Sequence, residues 1–126
     1  MKSFVTALIL ALIIVALGVL HTSKIEMLSA ELLGVNERVF ESVSQDDFKT
    51  ANEGIKKIRD IVEKNRMMLT LSIDHSEVDK IEMNVAQLEA YVEEEKREDA
   101  LSFLNVLETL FIRLPKNYRL KIENIL

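Results

Sequence analysis

The sequence predicts an all-α protein: an N-terminal transmembrane helix continuing into an antiparallel up-and-down bundle of about four helices, plus a short C-terminal helix. Three observations carry this. Residues 4–20, "FVTALILALIIVALGVL", hold no charge and a single threonine. After them, apolar residues recur every three or four positions, the period of a helix with one buried face. No segment alternates with period two over a useful length, so no sheet is expected.

At 126 residues the chain has room for one modest core beside an apolar segment, not for two cores. The uncharged run stands at the lower limit for a helix crossing a hydrocarbon core, roughly 17–25 residues. His21, Thr22 and Ser23 can extend it into the headgroups. Ala16 and Gly18 form a small-x-small pair of the kind signal peptidases cut. The apolar run is nevertheless longer than a signal core of about 7–15 residues, which favours a retained anchor. The division is therefore 1–23 as anchor and 24–126 as bundle. Lys2 and Lys24 flank the span and scarcely discriminate its direction. The short tail and long acidic remainder favour the N-terminus inside and the bundle outside the cytoplasmic membrane. Residues 25–126 carry 14 Lys+Arg against 21 Asp+Glu, a net −7, so a phosphate-binding basic face is not expected. With no cysteine, disulfides, lipoprotein processing and thiolate chemistry are excluded.

Taken in order, Ile25, Leu28, Leu32, Val35 and Val39 make the stripe of a first helix at about 24–43, continuous with the anchor. Phe48, Ala51, Ile55, Ile58, Val62, Asn65 and Leu69 predict a second helix over 46–71, after "SVSQDDF". Val78, Ile81, Val85, Leu88 and Val92 predict a third at 75–93. Ala100, Leu104, Leu107, Phe111 and Leu114 predict a fourth at 99–114, after the solvated "EEEKRED". Pro115 disfavours a helical Leu114 but suits the first turn of a terminal helix over 115–126. That stub carries its own stripe of Tyr118, Ile122, Ile125 and Leu126. Gly34 and Gly54 fall inside helices, where close helix approach is the simplest reason for them. The first helix rises roughly 30 Å from the membrane at 1.5 Å per residue. "SQDD" and "EEEKRED" then sit at the far end, while "MMLTLSIDHS" and the stub return. Lys116, Arg119 and Lys121 against Glu123 suit anionic headgroups.

The stretch "SIDHSEVDKI" holds one of the two histidines and is read as a helix start. Asp74 is the N-cap, Glu77 the third-position carboxylate of a capping box, and Ile73 with Val78 a hydrophobic staple. Asp79 adds charge that the helix dipole favours. The competing reading sets His75, Asp79 and Glu82 around a divalent cation, but without a second histidine, a cysteine or a calcium-type loop. Asn65, a polar residue in an apolar stripe, is expected to set register or partner choice. Tyr118 needs a hydroxyl partner. Met67 and Met68 read as flexible core fill. No Ser/His/acid set, phosphate loop or metalloprotease helix is present, so no catalytic residue and no cofactor are expected.

The opening "MKSFVTALILALII", the "DHSEVDKI" helix start and the terminal "ENIL" together resemble the bacterial domain-of-unknown-function family 4363, small membrane-anchored proteins. The resemblance spans nearly the whole chain and implies no assigned activity. It marks Asp74, His75, Glu77, Asn124 and Ile125 as family-like positions, and it implies a YetF-like membrane protein as partner. Apolar surface left over from so small a bundle also allows self-association. The functional expectation is a non-enzymatic accessory or interaction subunit of a membrane assembly. The alternative is a small extracytoplasmic sensor or ligand-binding bundle, using His75 or an interhelical pocket.

Overall fold

A computed structural model describes residues 1–125, which form six helices: α1 (Lys2–Ser44), α2 (Phe48–Lys64), α3 (Arg66–Ser72), α4 (His75–Glu93), α5 (Arg97–Ile112) and α6 (Leu114–Ile125). No strand occurs among the described residues. α1 is one unbroken helix of 43 residues, about 65 Å long at 1.5 Å per residue. Its apolar N-terminal half projects free of the bundle as a candidate membrane span or signal anchor. Burial begins at Ile25 and continues through Leu28, Leu32, Val35, Val39 and Val43.

α1 packs between α2 and α5, and α4 closes the ring by packing on both of those helices. Each neighbour runs antiparallel to the next. The core is made of the expected stripes: Ala51, Ile55, Ile58 and Val62 from α2; Val78, Ile81, Val85, Leu88 and Val92 from α4; and Ala100, Leu104, Leu107 and Phe111 from α5. Leu33, Phe40, Met68 and Phe103 pack against its edge.

The two turns distant from the apolar segment share one solution. After α1, Asp46 takes a left-handed φ of 58°; its N–H bonds Val43 O and that of Asp47 bonds Ser42 O. After α4, Glu95 has φ 56°, with Glu95 N–H on Val92 O and Lys96 N–H on Tyr91 O. Both are Schellman closures, satisfying carbonyls the helix end would leave open. Asp47 then caps α2 by accepting from Thr50 N–H at 3.2 Å. Hydrogen bonds from Thr50 hold the Asp47 carboxyl below its ordinary range. The stability this contributes is present above the ordinary carboxylate pKa and is lost as the pH falls through the lowered one.

Three boundaries differ from expectation. The single helix over 46–71 is two, because Asn65 leaves helical geometry (φ −102°, ψ 11°) and folds its side-chain amide onto Ile61 O at 2.8 Å. An asparagine that bonds its own helix in this way competes with continuation. The fourth helix starts earlier, at Arg97, and ends at Ile112. Leu114 opens α6 rather than closing α5, which places Pro115 in a first turn where its missing N–H costs nothing. Leu126 lies outside the described residues.

Close approach explains Gly54 but not Gly34. A Cβ at Gly54 would collide with Cγ2 of Val39, a stiff side chain buried in the core, whereas nothing lies within 4 Å of a Cβ at Gly34. Gly54→Ala is therefore expected to lower the melting temperature. Gly34→Ala should gain up to about 1 kcal/mol of helix propensity and raise it. Glu95→Gly, relieving a non-glycine left-handed residue, should add about 1 kcal/mol. Thermal unfolding of the three variants followed by circular dichroism checks all three signs.

Candidate functional site

Polar side chains inside an apolar bundle are the natural place to look for function, since each must be satisfied or carry a cost. Ser29 and Asn36 lie on the buried face of α1. Ser29 Oγ donates to Phe111 O at 2.7 Å, and Asn36 Nδ2 donates to Leu104 O at 3.0 Å. In a continuing helix Phe111 O would accept from the N–H of residue 115, and Pro115 has none. Phe111 O instead accepts from a backbone N–H of the α5 cap and, with its second lone pair, from the α1 hydroxyl.

About two turns nearer the N-terminus the contact continues. The His21 ring packs tilted against that of Tyr118, their centres 4.9 Å apart, and His21 Nε2 lies 2.7 Å from Ser72 Oγ. Ser72 Oγ also donates to Met68 O at 2.6 Å. A hydroxyl has one proton, so when Ser72 donates to Met68 O the His21 Nε2 is the donor of the other contact. The pair forms a clasp between α1 and the end of α3. Lys121 Nζ of α6 completes it, donating to Ile73 O at 3.1 Å in the α3–α4 turn.

The residues singled out from sequence do not converge. Asp74 stands at the N-cap of α4 without a side-chain cap bond. Glu77 does not reach back to it: its carboxylate accepts from Lys80 at 3.2 Å and Asn117 at 3.5 Å. The reciprocal capping box is thus replaced by a link from α4 to α6. Ile73 and Val78 are both fully buried, while His75 and Asp79 are exposed. Glu82 turns away from both to pair with Arg66 at 3.2 Å. No group of three or more metal-ligating side chains occurs among the described residues. Asn65 is only half-buried at a helix break; the buried polar role expected of it falls to Asn36. Tyr118 is buried against His21, whereas Asn124 and Ile125 are exposed.

Two surface grooves flank the ring. One of about 470 Å³ lies between α2 and α4, over Ala86 and Ala90, and is crossed by the Arg59–Glu89 and Arg66–Glu82 pairs. The other, about 420 Å³, lies between α1 and α5 and includes Leu33, Asn36, Phe40 and Glu108. Asn36 Oδ1 is buried there with no protein partner among the described residues.

A family model described as a domain of unknown function, DUF4363, matches residues 19–125. The chain belongs to this family. No curated protein and no solved structure matches it. The matched region begins within the apolar helix, two residues before His21, so the clasp and the buried polar column all fall inside the DUF4363 domain.

His21, Ser29, Asn36 and Ser72 were not marked by the periodicity. A signal was available: Thr22, Ser29 and Asn36 stand seven apart along the α1 stripe, a polar column on one helix face.

Ser29→Ala removes the α1 hydroxyl bond to Phe111 O and is expected to cost about 0.5–1.5 kcal/mol in urea unfolding. No loss of stability would contradict a structural role for this bond.

Proposed function

We propose that this chain is a single-pass, membrane-anchored helical bundle standing outside the cytoplasm, a non-enzymatic accessory subunit of a membrane assembly. The observation that carries the reading is the continuity of α1. The same helix provides an apolar, uncovered segment and then one wall of the core without a break. A rigid helix joining a span to a domain couples the position of one to the other, which suits a stalk or subunit better than a tethered enzyme. The buried polar groups suit a structural part: Ser29, Asn36 and Ser72 each bond a backbone carbonyl. The partner is another membrane protein, of the YetF-like type that the family resemblance suggests, or a second copy of the chain.

A second reading, a ligand-sensing bundle, draws on Asn36 Oδ1, a buried acceptor beside the α1–α5 groove that a small hydrogen-bond donor would satisfy.

Native mass spectrometry of the tagged chain, released from its own membrane in mild detergent, tests the first reading. The expected mass is the intact 14.4 kDa chain together with a further subunit. A shortened, solitary chain in the soluble fraction would overturn both the anchor and the subunit role.

A further inference from the structure

The contacts between α1 and the α5–α6 arm keep one register. Asn36 meets Leu104, Ser29 meets Phe111 and His21 meets Tyr118, so steps of seven and then eight down α1 match two steps of seven along the arm. α6 therefore continues antiparallel along α1 past the base of the bundle. A groove between the two is lined by Val15, Gly18 and Val19 of α1 together with Tyr118 and Ile122 of α6. Val15, Gly18 and Val19 belong to the uncharged run of residues 4–20. The last turns of α6 are thus level with the end of the apolar segment, not with the domain above it.

We propose that α6, with Leu71 at the end of α3, is a second membrane-contacting element, seated in the lipid interface of the bilayer that α1 crosses. This rests on the reading of α1 as a span. Ile122 lies about four residues of helix rise below His21, roughly 6 Å at 1.5 Å per residue. That is the depth at which interfacial helices bury their apolar faces, about 5–10 Å. Ile125 and Leu71 are 74% and 75% exposed, with Leu120 also uncovered. Leu71 adjoins Ser72, which bonds His21, so it stands at the same level. The polar groups fit a shallow seat. Lys121 turns back to Ile73 O instead of pointing down. Tyr118 sits at the boundary, where amphipathic rings are favoured. Glu123 and Asn124 share the last turn with Ile125 and keep it in the headgroups rather than in the acyl chains.

The chain has no cysteine, so single cysteines at exposed positions can be spin-labelled without background. Full-length Ile125→Cys, Leu71→Cys, Met83→Cys and Leu12→Cys would be labelled in phosphatidylcholine nanodiscs and their collision rates with oxygen and a nickel chelate compared. The expected result is loss of nickel accessibility at 125 and 71 relative to 83, with oxygen accessibility kept and apparent depth between those of 83 and 12. Nickel access at 125 and 71 equal to that at 83, with 12 still in the bilayer, overturns this proposal and leaves the anchor standing. Labels at 125 and 71 shielded from both reagents would mean a protein cover and overturn it as well. Nickel access at 12 would overturn the anchor reading and this proposal together.

Discussion

Two side-chain hydrogen bonds from α1 to backbone carbonyls of α5, buried in an apolar core, are the constraint around which this bundle is arranged. Ser29 on α1 donates to Phe111 O at 2.7 Å, beside the backbone N–H that this carbonyl accepts at the α5 cap. The bond forms only when α1 and α5 are in one register, because a slide of one residue would carry Ser29 off the facing surface. Asn36, seven residues further along α1, repeats the arrangement on Leu104. Leaving either buried side chain unpaired costs about 1–3 kcal/mol, a large fraction of the margin of a small domain. Hydrophobic stripes alone tolerate sliding, since Leu, Ile and Val substitute for one another in a seam. The two polar bonds remove that freedom.

Once the register is set, the lower end of the molecule follows. α6 leaves Pro115 along the same line and carries Tyr118 onto His21. The α3–α4 turn is drawn to the same level by Ser72 and held to α6 through Lys121 and through Asn117 with Glu77. Three chain segments far apart in sequence therefore meet around one turn of α1, where burial begins. At the other end two Schellman turns, with Asp46 and Glu95 in left-handed geometry, close the helix pairs by local hydrogen bonds alone. One end is built from short-range rules and the other from long-range contacts.

This difference decides what could be read beforehand. The stripes from Ile25 to Val39, Val78 to Val92 and Ala100 to Phe111 are local patterns of period 3.6, and they were legible with the core they form. Asn65 was visible as an anomaly, but its meaning depended on whether its amide reached a neighbour or its own helix; it reached Ile61 O. Asp74 and Glu77 fit the capping-box pattern, and Asp74 does stand at the N-cap. The carboxylate of Glu77 nevertheless found Lys80 and Asn117, the latter 40 residues away. Gly34 and Gly54 looked alike in sequence, and only the position of Val39 separates them.

Helical class, the number of apolar faces and the uncovered N-terminal segment were all written in residue type and spacing. Each depends on a residue and its neighbours within a turn or two. Family membership was also legible, from short motifs that carry no chemistry. Tertiary structure alone decided which polar residues matter: Ser29 and Asn36 rather than Asn65, and His21 rather than His75. Their importance comes from acceptors 82, 68 and 51 residues away. A hydrogen bond needs its partner within about 3 Å, and no pattern along a chain records which distant carbonyl or hydroxyl the fold will bring there.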